Sequence, residues 1–140
     1  MVTSVNVKGN LVASGSHDKE VQVWNMRRKQ KVWQFGHEDK VFCVQLHDKY
    51  LITCCNDKST RIWDIETGKV IHKLVHPRRC NNCDLSPNKT LLAVASHTAV
   101  VLWDFKNATK TKEFKLGVDI EDVFTRRIYG GALEINVTFS

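Results

Sequence analysis

Apolar and polar residues follow one another with the short period of β-strands along most of this chain. Val21 and Val23 alternate with Gln22 and Trp24, while Leu51-Ile52-Thr53 and Leu91-Leu92-Ala93-Val94-Ala95 are brief runs rich in β-formers. Turn formers interrupt them at Lys8-Gly9-Asn10, Asn56-Asp57-Lys58, Glu66-Thr67-Gly68 and Ser86-Pro87-Asn88-Lys89. The pattern predicts strands near 2–7, 11–16, 20–25 and 31–35, then 41–47, 50–55, 60–65 and 70–75, then 80–85, 91–96, 99–104 and 112–116. Beyond 116 the regularity fades. Ile128-Tyr129, the pair Gly130-Gly131, and the alternation Leu133, Ile135, Val137, Phe139 read as one more hairpin.

The twelve predicted strands fall into three groups of four, and the same chemistry recurs in each group. Val23-Trp24-Asn25, Ile62-Trp63-Asp64 and Leu102-Trp103-Asp104 stand 39 and 40 residues apart. Ser14 and Thr53, Asp18 and Asp57, and His37 and His76 keep the 39-residue spacing. Several kinds of position agreeing on one period of this length mark a repeat protein, in which each unit buries its apolar faces only by stacking on its neighbours.

Gly36-His37, then a small hydroxyl residue at Thr53, then Asp57, then Trp63-Asp64, resemble the WD40-repeat family. The resemblance covers roughly the first 116 residues. It implies an all-β fold: a WD40-type β-propeller segment of about three four-stranded antiparallel blades plus a partial fourth, in an incomplete ring. Repeats are expected at about 1–37, 38–76 and 77–116, with a divergent fourth blade in 117–140. Closed propellers carry about 4–8 blades. The sequence therefore reads as a fragment or short isoform of a longer protein, or, less favoured, as part of a ring closed by a second copy.

In that family a His, a Ser or Thr, an Asp and a Trp form a hydrogen-bonded structural tetrad. Carried over, His37, Thr53, Asp57 and Trp63 supply it in the second unit, and Ser14, Asp18 and Trp24 supply most of it in the first. The third unit keeps His76 and Trp103 but departs elsewhere: Ala93 stands at the hydroxyl position and His97 at the Asp position. A buried indole N–H, hydroxyl and imidazole each need a partner, because an unsatisfied one costs on the order of 1–3 kcal/mol. The same residue types would make a nucleophile triad. Their recurrence in every unit, between strands, favours the structural role, and no enzyme is expected.

His72, His76, Cys80 and Cys83 have zinc-like spacing. On strands, however, Cys80 and Cys83 would point to opposite faces, and no metal or cofactor is expected. The five cysteines, an odd number, read as reduced thiols. No secretory signal and no apolar run long enough for a membrane helix is visible, so a cytoplasmic or nuclear location is expected.

Function then falls to the loops. The resemblance places partner contacts on the rim that carries the His-bearing and Asp-bearing loops, with His17, Phe42, Asn56, Arg78, Arg79, Asn81 and His97 as candidates. The stretch from Tyr50 to Lys69 resembles the propellers of F-box/WD proteins, which implies a protein-interaction scaffold serving as substrate receptor of a cullin-type ubiquitin ligase. In such proteins arginines clamp a phosphorylated segment, whereas the matching positions here hold His17, Asn56, Phe42 and Asn81. The net charge of +6 and the basic stretches at 27–31 and 106–115 support the alternative, a WD-repeat subunit of a ribonucleoprotein assembly binding RNA through basic loops. No membrane partner is expected.

Overall fold

A computed structural model describes residues 1–127 and 133–139; the Ile128–Tyr129 and Gly130-Gly131 positions of the expected hairpin lie outside the described residues. Three four-stranded antiparallel sheets follow one another along the chain. The first contains β1 (Val2–Lys8), β2 (Leu11–Ser16), β3 (Glu20–Asn25) and β4 (Gln30–Gly36). The second contains β5 (Val41–His47), β6 (Tyr50–Cys55), β7 (Ser59–Asp64) and β8 (Lys69–Val75). The third contains β9 (Cys80–Leu85), β10 (Leu91–Ser96), β11 (Ala99–Asp104) and β12 (Thr109–Lys115). A two-stranded sheet of β13 (Ile120–Arg127) and β14 (Leu133–Phe139) completes the described residues. Each sheet is a meander with sequential neighbours paired, as blades of a partial WD40-type propeller are, and among the described residues there is no helix. The outer strands β4, β8 and β12 begin one to three residues earlier than the apolar pattern predicts, because their polar first residues continue the ladder across a bulge opposite the Trp-bearing strand.

The chain divides into two compact units, Met1–His76 and Pro77–Ser140. In the first unit one face of the first sheet, carrying Ala13, Val21, Val23 and Phe35, packs on Val41, Val44, Leu46, Leu51 and Trp63 of the second. Burying each such Val or Leu side chain contributes about 1.5–3 kcal/mol, so this interface contributes substantially to the unit's stability. Gly15 lets the sheets approach: a Cβ there would lie 2.8 Å from Val41 Cγ1 and 2.9 Å from Val44 Cγ1. Polar side chains of β1 also reach the backbone of β5. Ser4 Oγ accepts from Val44 N (3.2 Å) and Asn6 Oδ1 from Leu46 N (2.8 Å).

The second unit repeats this interface. Ala93, Ala95, Val100 and Leu102 of the third sheet pack on Ile120 and Val123 of β13, with Ile135 and Val137 of β14 against the cluster. Asp84 Oδ2 accepts from the backbone N–H (2.6 Å) and hydroxyl (3.0 Å) of Thr125, in the way Asn6 serves Leu46 in the first unit.

Two register details depart from simple alternation. Each first strand of a sheet has an irregularity near its start, at Thr3, Phe42, Asn81 and Glu121. The extra residue at Asn81 puts Cys80 and Cys83 on one face and not on opposite faces as strict alternation would have it; both are fully buried. All five cysteines are free thiols. The second detail concerns the β10–β11 turn. Two residues, His97 and Thr98, join those strands, against three, Asn56 to Lys58, between β6 and β7. The shortening shifts the ladder by one, so Trp103 pairs with Leu92 as Trp63 pairs with Leu51. The counterpart of Thr53 is therefore Val94, while Ala93 lies on the other face and packs against β13.

Candidate functional site

The second sheet assembles a polar cluster around Thr53, which β6 holds wholly buried. Trp63 Nε1 donates to Thr53 Oγ1 (3.2 Å), and the same hydroxyl shares a 2.9 Å hydrogen bond with His37 Nε2. The β6–β7 ladder puts Trp63 and Thr53 on one face, and the loop after β4 brings His37 over the indole, with ring centroids 5.6 Å apart. Phe35 stacks on the other side of Trp63 at 4.1 Å, and Trp33 stacks on Phe35 at 5.8 Å. Trp33 Nε1 donates to the Ile65 carbonyl (2.6 Å) and its ring covers Gly68, whose φ of +74° belongs to the turn after β7.

Asp57 faces a different partner from His37. Its carboxylate accepts from the Ser59 hydroxyl and backbone N–H and from Arg61 Nη2 at 3.0 Å, and both charged side chains are about nine-tenths buried. Burial opposes ionisation of Asp57, yet the hydrogen bonds from Ser59 and Cys55 and the Arg61 charge outweigh it and hold the carboxyl below its usual range. Burial and the Arg61 guanidinium push His37 down to about 4, against smaller opposing effects of the Phe35 carbonyl and Asp57. His37 is therefore a neutral imidazole at physiological pH. Burial raises Cys55.

The corresponding residues elsewhere are arranged differently. Trp24 is 38% exposed against 8% for Trp63, and its indole donates to Gln22 Oε1 (3.3 Å) and not to Ser14. Asp18 caps its own turn by accepting from Glu20 N (3.2 Å). His76 Nε2 shares a 3.2 Å hydrogen bond with Thr60 Oγ1 of β7. Trp103 is 9% exposed, on the face of the third sheet that carries Val94. The cluster offers no solvent-facing nucleophile, and its hydroxyl is spent on two ring partners.

The loop candidates fall into both units. In the first, His17 meets Phe42 edge-on, with ring centroids 6.0 Å apart, and Phe42 occupies the bulge at the start of β5. Asn56 Nδ2 donates to Asp39 Oδ2 (2.9 Å), which braces the loop before β5. The Lys40 N–H, and after it that bond from Asn56, hold Asp39 below the usual carboxylate range. In the second unit Arg79 Nε donates to Asn81 Oδ1 (3.2 Å), and Asn81 Nδ2 donates to the Ile120 carbonyl (3.0 Å). His97 Nδ1 lies 3.1 Å from Asp119. Pro77, Arg78, Thr98, Glu113 and Lys115 line an open cleft of about 440 Å³. Glu113 is paired with Lys110 (3.6 Å). Among the described residues neither Arg78 nor Lys115 has a carboxylate partner, so the cleft presents two uncompensated cations. Arg61, Trp33 and Phe35 escape sequence reasoning, because only cross-strand register and packing give them neighbours, whereas Lys115 ends the basic stretch 106–115.

With this geometry in hand, comparison with known proteins is direct. Residues 4–83 match the family of the anaphase-promoting complex subunit 4 WD40 domain. The chain is 29% identical to the WD repeat, SAM and U-box domain-containing protein 1 of Danio rerio, over 77% of this chain and 24% of that protein. It is 28% identical to the small ribosomal subunit protein RACK1y of Oryza sativa subsp. japonica, over 80% and 34%. With the eukaryotic translation initiation factor 3 subunit I of Drosophila virilis it shares 30% identity, over 74% and 35%. The chain thus spans about a quarter to a third of the length of these relatives. In fold it is similar to the crystal structure of the computationally designed Ika4 protein, with a TM-score of 0.83 over 98% of this chain and 91% of that one, at 18% identity. The recurring Trp-bearing four-stranded sheets and the match across more than half of the sequence lead to one conclusion: the chain belongs to the WD40-repeat family.

Proposed function

We propose that this chain is a non-catalytic protein-interaction scaffold that takes acidic segments of partner proteins on its loops. The cleft beside Pro77 carries the reading: Arg78 and Lys115 line it without carboxylate partners among the described residues, and Arg is prominent among residues that dominate interface energies. Phe42, edge-on to His17, is a second anchor. Relatives named as a ribosomal-subunit protein and a translation initiation factor subunit support membership of a large assembly in the cytoplasm, with the nucleus as a further location. A relative named for its U-box keeps the ubiquitin-ligase reading, a cullin-type substrate receptor, in view. In this proposal the repeats run over about 1–37, 38–76 and 77–116 with a partial fourth after them, and the Thr53 cluster, with its counterparts around Ser14, Asp18, Trp24, His76 and Trp103, is structural.

Co-purification from source cells, followed by identification of captured proteins, tests this. Charge reversal at Arg78 and Lys115 is expected to remove acidic partners while the fold persists. Unchanged capture by that variant would refute the cleft. The net charge of +6 favours RNA as the second reading. RNA affinity falling steeply with salt would support it, and no binding near 50 mM salt would remove it.

A further inference from the structure

We infer that Glu113 makes the cleft beside Pro77 selective for a carboxylate over a phosphoryl group, so that the cleft takes an unmodified acidic side chain or the C-terminal carboxylate of a partner. The inference rests on the reading of that cleft given above and deepens it.

The third sheet departs from the other two at equivalent positions. Ser96 Oγ donates to the Arg78 carbonyl (3.1 Å) as Cys55 Sγ donates to the Asp39 carbonyl (3.3 Å), which makes Arg78 the counterpart of Asp39. Asp39 is spent inside its own loop, where its carboxylate accepts from Asn56 Nδ2 (2.9 Å). Arg78 carries the opposite charge, is exposed, and has no carboxylate partner among the described residues. Ala99 pairs with Lys115 as Glu20 pairs with Gly36 and Ser59 with Val75, so Lys115 also stands where neither other sheet has a charge. Two cations thus line one cleft and attract an anion.

The same comparison adds a carboxylate. Val101 pairs with Glu113 as Gln22 pairs with Gln34 and Arg61 with Lys73, so only the third sheet has an acid at this position. The Glu113 side chain is 21% exposed, which fixes its charge at the cleft wall. Lys110 reaches Oε1 at 3.6 Å and is itself half exposed, so it screens that charge only in part. The lining holds two cations and one carboxylate, a net charge of +1. Attraction to such a lining grows in proportion to the ligand's charge, whereas the cost of taking the ligand out of water grows as its square. Glu113 lowers the attraction, and so moves the preference from a phosphoryl group, with a charge of about −1.5 to −2, to a singly charged carboxylate. The two oxygens of a carboxylate suit the Arg78 fork, with Lys115 as a second point charge. The Thr98 hydroxyl, which has no hydrogen-bond partner among the described residues, is a further donor.

The whole chain, labelled with nitrogen-15, is titrated with capped pentapeptides of alanine whose central residue is glutamate, glutamine or phosphoserine, and with an all-alanine pentapeptide whose C-terminus is free. The amide shifts of Thr98, Ala99, Glu113 and Lys115 are followed by NMR. The glutamate peptide or the free C-terminus is expected to bind at these residues, whichever does so naming the source of the carboxylate. Glutamine is expected to bind about fivefold more weakly or worse, and phosphoserine no more tightly than the carboxylate. Glu113→Gln is expected to strengthen carboxylate binding about threefold and phosphoserine binding about tenfold, since the removed repulsion scales with ligand charge. Should that variant fail to fold, the ranking of phosphoserine against glutamate in the parent chain decides. Phosphoserine bound more tightly than either carboxylate by the parent, or a Glu113→Gln chain with an unchanged preference, overturns the inference and leaves the acidic-segment reading standing. No shift at about 1 mM of any charged peptide, or glutamine bound as well as glutamate, overturns that reading with it.

Discussion

Replacing Thr53 by Val isolates what the polar cluster contributes, because the two side chains have nearly the same shape. Val94 occupies this place in the third sheet, so the backbone accepts a valine there. What changes is the hydroxyl, which accepts from Trp63 Nε1 at 3.2 Å and shares a 2.9 Å hydrogen bond with His37 Nε2. Trp63 is 8% exposed, so its N–H cannot turn to water, and leaving such a donor unmade costs about 1–3 kcal/mol. His37 is only partly buried by the chain and recovers some hydration, so its share lies at the low end of that range. The sum is about 2–4 kcal/mol, a large fraction of a typical domain's stability of about 5–15 kcal/mol. Urea denaturation followed by tryptophan fluorescence should show a midpoint lower by about 1–2 M, for a slope of about 1–3 kcal/mol/M. Thr53→Ser keeps the hydroxyl and loses one methyl, so it should cost only about 1 kcal/mol. In a Thr53→Val background, Trp63→Phe should cost less than it does alone, since the indole N–H has already lost its acceptor. A valine variant within about 0.5 kcal/mol of the parent, or a serine variant as damaged as the valine one, would refute the reasoning.

Three further perturbations follow from the same geometry. Burial lowers His37 to about 4 from an unfolded value of about 6.5, so its contribution is complete above about pH 6.5 and is lost as pH falls towards 4; this amounts to about 2–3 kcal/mol between denaturation at pH 7.5 and at pH 4, and His37→Gln should flatten that slope. Asp57, also lowered, contributes stability that is present above its unfolded value near 3.9 and lost at still lower pH. Arg61→Met strands the buried Asp57 carboxylate and should cost about 3–5 kcal/mol in denaturation while raising the His37 pKa seen by NMR titration; an unmoved His37 would count against the assigned role of the guanidinium. Gly15→Ala drives a methyl against Val41 and Val44 and should destabilise the first unit by about 1–3 kcal/mol, with a stability gain as the contrary result.

Much of this protein is legible in its residue order. Strand placement follows from period-two alternation and turn chemistry, both local, and the 39- and 40-residue recurrence of Trp, hydroxyl and His groups the strands into sheets. The meeting of His37, Thr53 and Trp63 was implied by the resemblance to WD40 repeats and not by the local pattern. What sequence could not place was register. Alternation assigns faces only while no residue is inserted or lost. The extra residue at Asn81 put Cys80 and Cys83 on one face, and the shorter turn at His97 moved the hydroxyl position from Ala93 to Val94. Nor does the chain's order announce that Arg61, an ordinary strand cation by composition, turns inward to Asp57, or that Trp33 and Phe35 stack beneath Trp63. Those neighbours are chosen by the packing of one sheet on the next. The sequence by itself determined the strands and their repeat, since these depend on short-range periodicity. Tertiary structure alone decided faces and buried charge partners, because each is a relation between strands brought together by packing.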